Sequence, residues 1–168
     1  MSTPVICTER LVLRKMEKED VHNLLEIFSD PEAMKYYPST KDEKETMNWI
    51  EWTIGNYEKH GVGLWIVEEK ESGKFLGQCG IVPQEVDGMT EMEIGYLFAR
   101  RVWGKGYATE AALGCKNYGF EQLQLSKLVS LPDVNNFPSR KVAERIGMTL
   151  IKTIPKWGKE VCVYSVSK

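Results

Sequence analysis

The chain has 168 residues, long enough to bury roughly 70% of the surface it exposes when unfolded, so its core needs no metal or disulfide staple. Hydrophobic residues make up 42% and charged residues 27%, which excludes a disordered, collagen-like or coiled-coil chain and fits one globular domain over residues 1–168. Lys and Arg number 22 against 24 Asp and Glu, for a net charge of −2, which excludes a generally cationic nucleic-acid binder.

No apolar run approaches the ~18–20 residues that span a bilayer, and residues 1–10 lack the charged-then-apolar order of an export signal. Cys7, Cys79, Cys115 and Cys162 stand far apart, with no CxxC and no nearby His pair. No metal site is expected from them; they read as buried small apolar residues in a reducing, cytoplasmic setting.

After an irregular start, residues 11–13 predict a short strand. Val21, Leu24, Leu25 and Phe28 recur at i, i+3, i+4 and i+7, which predicts a helix over 18–28 that stops at Asp30-Pro31. Met47, Ile50, Ile54 and Tyr57 predict a second helix over 40–57. Strands over 64–67 and 75–82 flank a hairpin turn at 71–74, with Gly73 where positive φ is wanted. Another strand, from about Glu91 to Phe98, follows the turn Asp87-Gly88. A helix over about 107–122 then carries Ala108, Ala111, Ala112, Cys115 and Tyr118 at helical spacing. Residues 127–131 form a strand, and Ser139, Val142, Ala143 and Ile146 give a short helix ended by Gly147. Strands over 150–154 and 161–166 close the chain, joined at Trp157-Gly158. The predicted order is β-α-α-β-β-β-α-β-α-β-β, mixed α and β around one sheet.

The stretch 91–111 reads as a strand, a cationic glycine turn and a helix. Gly104 and Gly106 let backbone N–H groups approach a ligand, and the opening turn of the helix adds unpaired donors and the positive end of its dipole. Arg100, Arg101 and Lys105 add positive charge to that corner. Anionic oxygens, a pyrophosphate above all, would be favoured there; the same residues also fit a glycine turn with solvated charges. The spacing is neither a Walker A loop nor GxGxxG, which speaks against a nucleotide-binding enzyme.

Glu93-Ile94-Gly95-Tyr96, followed by Trp103-Gly104-Lys105-Gly106-Tyr107-Ala108-Thr109-Glu110-Ala111, resembles the coenzyme-A motif of the GNAT superfamily of acetyltransferases. It looks most like the branch containing the ribosomal-protein N-terminal (alanine or serine) acetyltransferases. Gly106 and Ala108 take the small-residue positions, while Trp103 departs from the motif's Gln or Arg. A second block, residues 135–148, resembles the superfamily's later motif, with Asn136 and Ser139 at its polar positions, and residues 8–14 match its opening. The resemblance covers nearly the whole chain and is weakest over 36–59.

This resemblance implies one domain with a mostly antiparallel sheet of about six or seven strands, splayed between the fourth and fifth, and about four helices. It implies acetyl-CoA as co-substrate with no metal, and an amine acceptor, either a peptide N-terminus or a small molecule. It implies no nucleic acid or membrane partner, and a monomer or homodimer. Tyr96, Leu97 and Phe98 would pair with the pantetheine through backbone groups. Arg101, Trp103, Gly104, Lys105, Gly106, Tyr107, Ala108 and Thr109 would surround the pyrophosphate. Asn136 and Ser139 would line the opposite wall near the thiol.

A primary amine with a pKa near ~10 is about 0.1% neutral at pH 7, so a base is wanted. Glu93 is the first candidate, and Glu91, on the same strand face, the second; the other reading is two solvated carboxylates. The tyrosine that many relatives use as acid falls at Ala143, which leaves Ser139 as a substitute, or else Tyr96 or water. That missing acid also keeps open a non-catalytic coenzyme-A-binding sensor or interaction module. Residues 30–38, Trp49 and Trp52 fall where relatives shape the acceptor groove, and Glu43, Glu45 and Glu51 would favour a cationic amine. His22 and His60 receive no role.

Overall fold

In a computed structural model that describes residues 3–168, the elements in chain order are β1 (Pro4–Cys7), β2 (Leu11–Lys15), α1 (Val21–Phe28), α2 (Glu43–His60), β3 (Leu64–Glu69), β4 (Phe75–Val86), β5 (Met89–Phe98), α3 (Tyr107–Glu121), β6 (Lys127–Ser130), α4 (Phe137–Arg145), β7 (Thr149–Lys156) and β8 (Lys159–Ser167). Met1 and Ser2, the start of the stretch read for an export signal, lie outside the described residues. Among those described, no helix is long and apolar enough to cross a membrane.

Turn chemistry sets the register of the two long hairpins. Asp87 and Gly88 hold φ of 50° and 77°, and Trp157 and Gly158 hold 56° and 74°. Two consecutive left-handed residues give the turn whose twist matches the flanking strands. The first turn aligns β4 with β5 without interruption from Val86↔Met89 to Gly77↔Phe98; the second aligns β7 with β8. The sheet runs β1-β2-β3-β4-β5-β6-β8-β7. Every neighbouring pair is antiparallel except β5 and β6, which are parallel and share one register pair, Glu93↔Val129. From there toward Phe98 the two strands diverge, and a cleft opens beside the middle of the sheet.

Alternation along β4 assigns the helices to faces. Gln78 accepts the Trp49 indole N–H of α2 at 3.0 Å, whereas the Cys79 sulfur lies 3.6 Å from that of Cys115 on α3. So α2, packed on α1, covers one face and α3 the other, with α4 beside α3. Leu11, Leu13, Leu24, Ile27, Ile50, Ile66, Ile81 and Ile94 are fully buried between the layers. A smaller apolar cluster of Val86, Val129, Leu131, Ile154, Val161 and Val163 lies at the other end of the sheet.

The described residues form eight strands rather than six or seven, because Pro4–Cys7 adds an edge strand to the irregular start. Residues 18–20 are a 3-10 turn preceding α1, not part of it. Helix α2 begins at Glu43 rather than Thr40: Asp42 and Glu45 form a reciprocal cap there, and Gly61, at φ 72°, ends the helix. Cys7 is exposed, against the expectation of burial, while Cys79, Cys115 and Cys162 are buried.

Candidate functional site

The glycine turn presents its backbone N–H groups as a row. Gly104 and Gly106 hold φ of 79° and 81°, a conformation that suits glycine alone, and Gly106 is the N-cap of α3. The first intrahelical bond runs from Glu110 N–H to the Gly106 carbonyl at 3.0 Å. Among the described residues, no acceptor receives the N–H groups of Gly104, Gly106, Tyr107, Ala108 or Thr109. Five such donors at the positive end of a helix suit phosphate oxygens.

This turn is held in shape from outside. Arg10 donates to the Lys105 carbonyl at 2.9 Å, pairs with Glu110 at 2.7 Å and lies over the Tyr107 ring at 4.5 Å. Glu110 also accepts the Thr8 hydroxyl and the Arg10 backbone N–H; together these hold its carboxyl below the usual range even though partial burial pushes it up. The Tyr107 side chain turns inward, its hydroxyl donating to Glu69 at 3.1 Å, so only its backbone faces a ligand.

Two expected contributors are placed differently. Arg101 is tied to Glu26 at 2.5 Å and to the Phe75 carbonyl at 2.6 Å, and Arg100 to Asp30 at 3.0 Å. Their charges are spent on α1 and the residues after it, which leaves Lys105 as the cation of this corner with no ion pair among the described residues. The Trp103 indole N–H donates to the Phe98 carbonyl at 2.9 Å and takes one of its two lone pairs.

A cleft of about 470 Å³ follows β5 into the gap beside β6, and it brings together Glu93, Tyr96, Leu97, Asn136 and Ser139. Glu91 is not in its lining: although it shares a strand face with Glu93, it pairs with Lys127 at 2.9 Å. Glu93 sits on the α2 face of β5. Loss of water there pushes its carboxyl up to about 7, despite donation from the Gln84 side chain and the Leu131 N–H and attraction from Lys156. Tyr96 points to the opposite face, where its hydroxyl donates to the Ser139 carbonyl at 2.7 Å and lies 3.4 Å from that of Ser130. Burial pushes the Tyr96 hydroxyl up to about 12. The Asn136 side chain is occupied as the cap of α4, accepting the Ser139 N–H at 3.2 Å. Ala143 is fully buried and contributes no hydroxyl to the cleft.

Some lining groups were not legible beforehand. Loss of water around the hydroxyl end of Tyr37 raises it, as does its nearness to Glu93 and Tyr96, although 43% of the residue is exposed; Gln84 and the Leu131 N–H lie beside Glu93 itself. Tyr37 lies in the 30–38 segment, but nothing in its local pattern distinguishes it from Tyr36. The carboxylates Glu43, Glu45 and Glu51 on α2 are solvent-exposed and absent from the lining.

Residues 10–149 match a family described as the acetyltransferase (GNAT) domain. The chain is 50% identical over 160 residues to the uncharacterized protein YkkB of Bacillus subtilis, covering 95% of this chain and 93% of that one. It is 37% identical to the uncharacterized N-acetyltransferase p20 of Bacillus licheniformis, covering 80% and 76%. In three dimensions it superposes on an acetyltransferase from Agrobacterium tumefaciens with a TM-score of 0.86, at 31% identity, over 100% of this chain and 96% of that one.

Proposed function

The chain belongs to the GNAT acetyltransferase family, and from that premise we propose that it transfers the acetyl group of acetyl-CoA directly to a primary amine, with Glu93 as general base. The observation that carries this reading is Glu93 lining the cleft where β5 and β6 part, with a row of unpaired amides just beyond the end of the same strand β5.

In this proposal the diphosphate of acetyl-CoA lies on the N–H groups of Gly104 to Thr109, and its pantetheine runs along Tyr96 and Leu97 toward Ser139. An ammonium acceptor gives one proton to Glu93, directly or through water, because only the neutral amine carries a lone pair. The nitrogen attacks the thioester carbonyl carbon, the C–N bond forms, the C–S bond breaks, and the amine's second proton is lost. A thiol with a pKa near ~8.5 leaves readily as thiolate, so protonation of the sulfur assists without being required. Tyr96 and Ser139 are the hydroxyls within reach of it. Placing both reactants in one cleft supplies a large share of the rate. Glu91, held by Lys127, takes no part. A cytoplasmic place of work belongs to the same proposal.

The test has two arms. Acetyl-CoA or CoA at saturation should raise the melting temperature, and an amine panel should release free thiol. Absence of both ends the proposal; a thermal shift without thiol release favours a coenzyme-A-binding module.

A further inference from the structure

The cleft carries a charge that acetyl transfer does not use. Its charged lining is Lys41, Glu93, Asp133 and Lys159. Asp133 and Lys159 neutralise one another at 3.3 Å, and Lys159 also donates to the Tyr36 carbonyl. Glu93 is the base. Lys41 remains, with no carboxylate partner among the described residues.

Lys41 is nonetheless held in place. Its backbone N–H donates to the Phe28 carbonyl at 2.7 Å. Its ammonium lies 5.4 Å from the Trp49 ring centre and 6.0 Å from that of Phe28, two rings that meet edge to face at 5.5 Å. Trp49 is fixed in turn by its bond to Gln78. The half-buried ammonium has traded part of its water for ring faces without gaining an anion. The Trp49 ring beside Lys41 is anchored away from Glu93. Gln78, which anchors Trp49, is paired with Leu97, four residues along β5 from Glu93, or ~13 Å at strand spacing. The lining that Lys41 and Glu93 share also includes Met34, Tyr37, Trp49 and Trp52.

Resting on the acetyl-transfer reading, we propose that the acceptor is an amino-carboxylate with its two ends kept apart by an apolar or aromatic body: the amine at Glu93, the body against Trp49 and Tyr37, and the carboxylate on Lys41. An ω-amino acid or a short peptide with a free C-terminus has this form. A polyamine, an aminoglycoside or an α-amino acid, whose charges are all positive or sit on one carbon, does not.

The experiment compares matched acceptors by thiol release: 4-(aminomethyl)phenylacetate against 4-ethylbenzylamine, and alanyl-phenylalanine against its C-terminal amide. The acid of each pair should show a kcat/KM about tenfold or more above its neutral partner. In Lys41→Met that ratio should collapse toward one, through the acceptor KM, while the KM for acetyl-CoA stays at the wild-type value and reports an intact fold. Equal kcat/KM for acid and neutral partner in the wild type overturns the inference and leaves acetyl transfer standing. A Lys41→Met variant that raises the KM for acetyl-CoA instead also overturns it, assigning the lysine to the coenzyme. No thiol from any amine overturns acetyl transfer and this inference together.

Discussion

Glu93 is paired with Val129 at the one point where β5 and β6 meet, which sets its carboxyl beside the backbone N–H of Leu131. The same junction that starts the splay of the sheet therefore carries the group assigned as base. Desolvation raises the carboxyl, the Gln84 side chain and the Leu131 N–H lower it, and the balance lies at about 7. A base with that value is half ionised near neutral pH, where proton acceptance and driving force are balanced.

Glu93→Gln should lower kcat by about 10²-fold or more, the usual range for removing a positioned base. In the wild type, kcat/KM should rise with pH along a limb centred near 7, because only the ionised carboxylate accepts a proton. The variant should lose that limb while keeping the wild-type affinity for CoA. A limb that survives the substitution assigns it to another group.

The same burial has a cost in stability, and its sign follows from linkage. The folded pKa of Glu93, about 7, lies above the ordinary 4.5. Between those values the folded chain binds more protons than the unfolded one, so this group's contribution falls as pH rises from 4.5 to 7 and is level above. Glu93→Gln should accordingly raise the melting temperature relative to wild type at pH 8, with the gain shrinking toward pH 4.5. Thermal denaturation of both proteins at the two pH values checks this; a gain that is larger in acid would contradict the assigned burial.

Local signals were legible and remote ones were not. The apolar spacing of Val21, Leu24 and Phe28, the glycines of the hairpins and the strand–turn–helix around Gly106 all act within a few residues, so the sequence displays them directly. Strand β1 escaped because four edge residues carry too short a pattern, with one buried side chain at Ile6. Arg101 looked like part of an anion site because its partner, Glu26, lies 75 residues earlier in the chain. Similarly, Lys41 enters the cleft only because Phe28 fixes its backbone, and Tyr36 is bound by Lys159, 123 residues away. Side-chain direction at the site is set by such long-range partners, which spacing cannot reveal.

Gly106→Glu should abolish stabilisation by CoA. At φ 81° any side chain is strained, and a Cβ there meets Arg10 Nη2 at 3.4 Å, so the new carboxylate would point at the guanidinium that holds the turn and set negative charge beside the amide row. A thermal-shift titration should show less than a tenth of the wild-type affinity. Gly55→Ala on α2, where a Cβ meets nothing within 4 Å, serves as the control. It should raise stability by about 0.5–1 kcal/mol through helix propensity and leave the titration unchanged. Wild-type CoA affinity in Gly106→Glu would move the phosphate site elsewhere.

Tyr57→Phe isolates a hydroxyl that ties three elements together away from the cleft. The Tyr57 O–H on α2 donates to the Leu64 carbonyl at the start of β3 and accepts the Met16 N–H, just past β2, at 2.9 Å. Phenylalanine keeps the ring, which packs over Gly63, so the packing term is nearly conserved and the loss is confined to hydrogen bonding. Met16 is 2% exposed and Leu64 6%, so water replaces the hydroxyl poorly and both backbone groups are left short of a partner. Such a deletion costs ~1–3 kcal/mol, or roughly 3–10 °C in melting temperature for a chain of this size. Catalysis should be spared, because Tyr57 lies outside the cleft lining: the pH limb of kcat/KM and the acceptor KM should match the wild type at a temperature where both proteins are folded. An unchanged melting temperature would mean that solvent reaches this junction and that the hydroxyl is dispensable there.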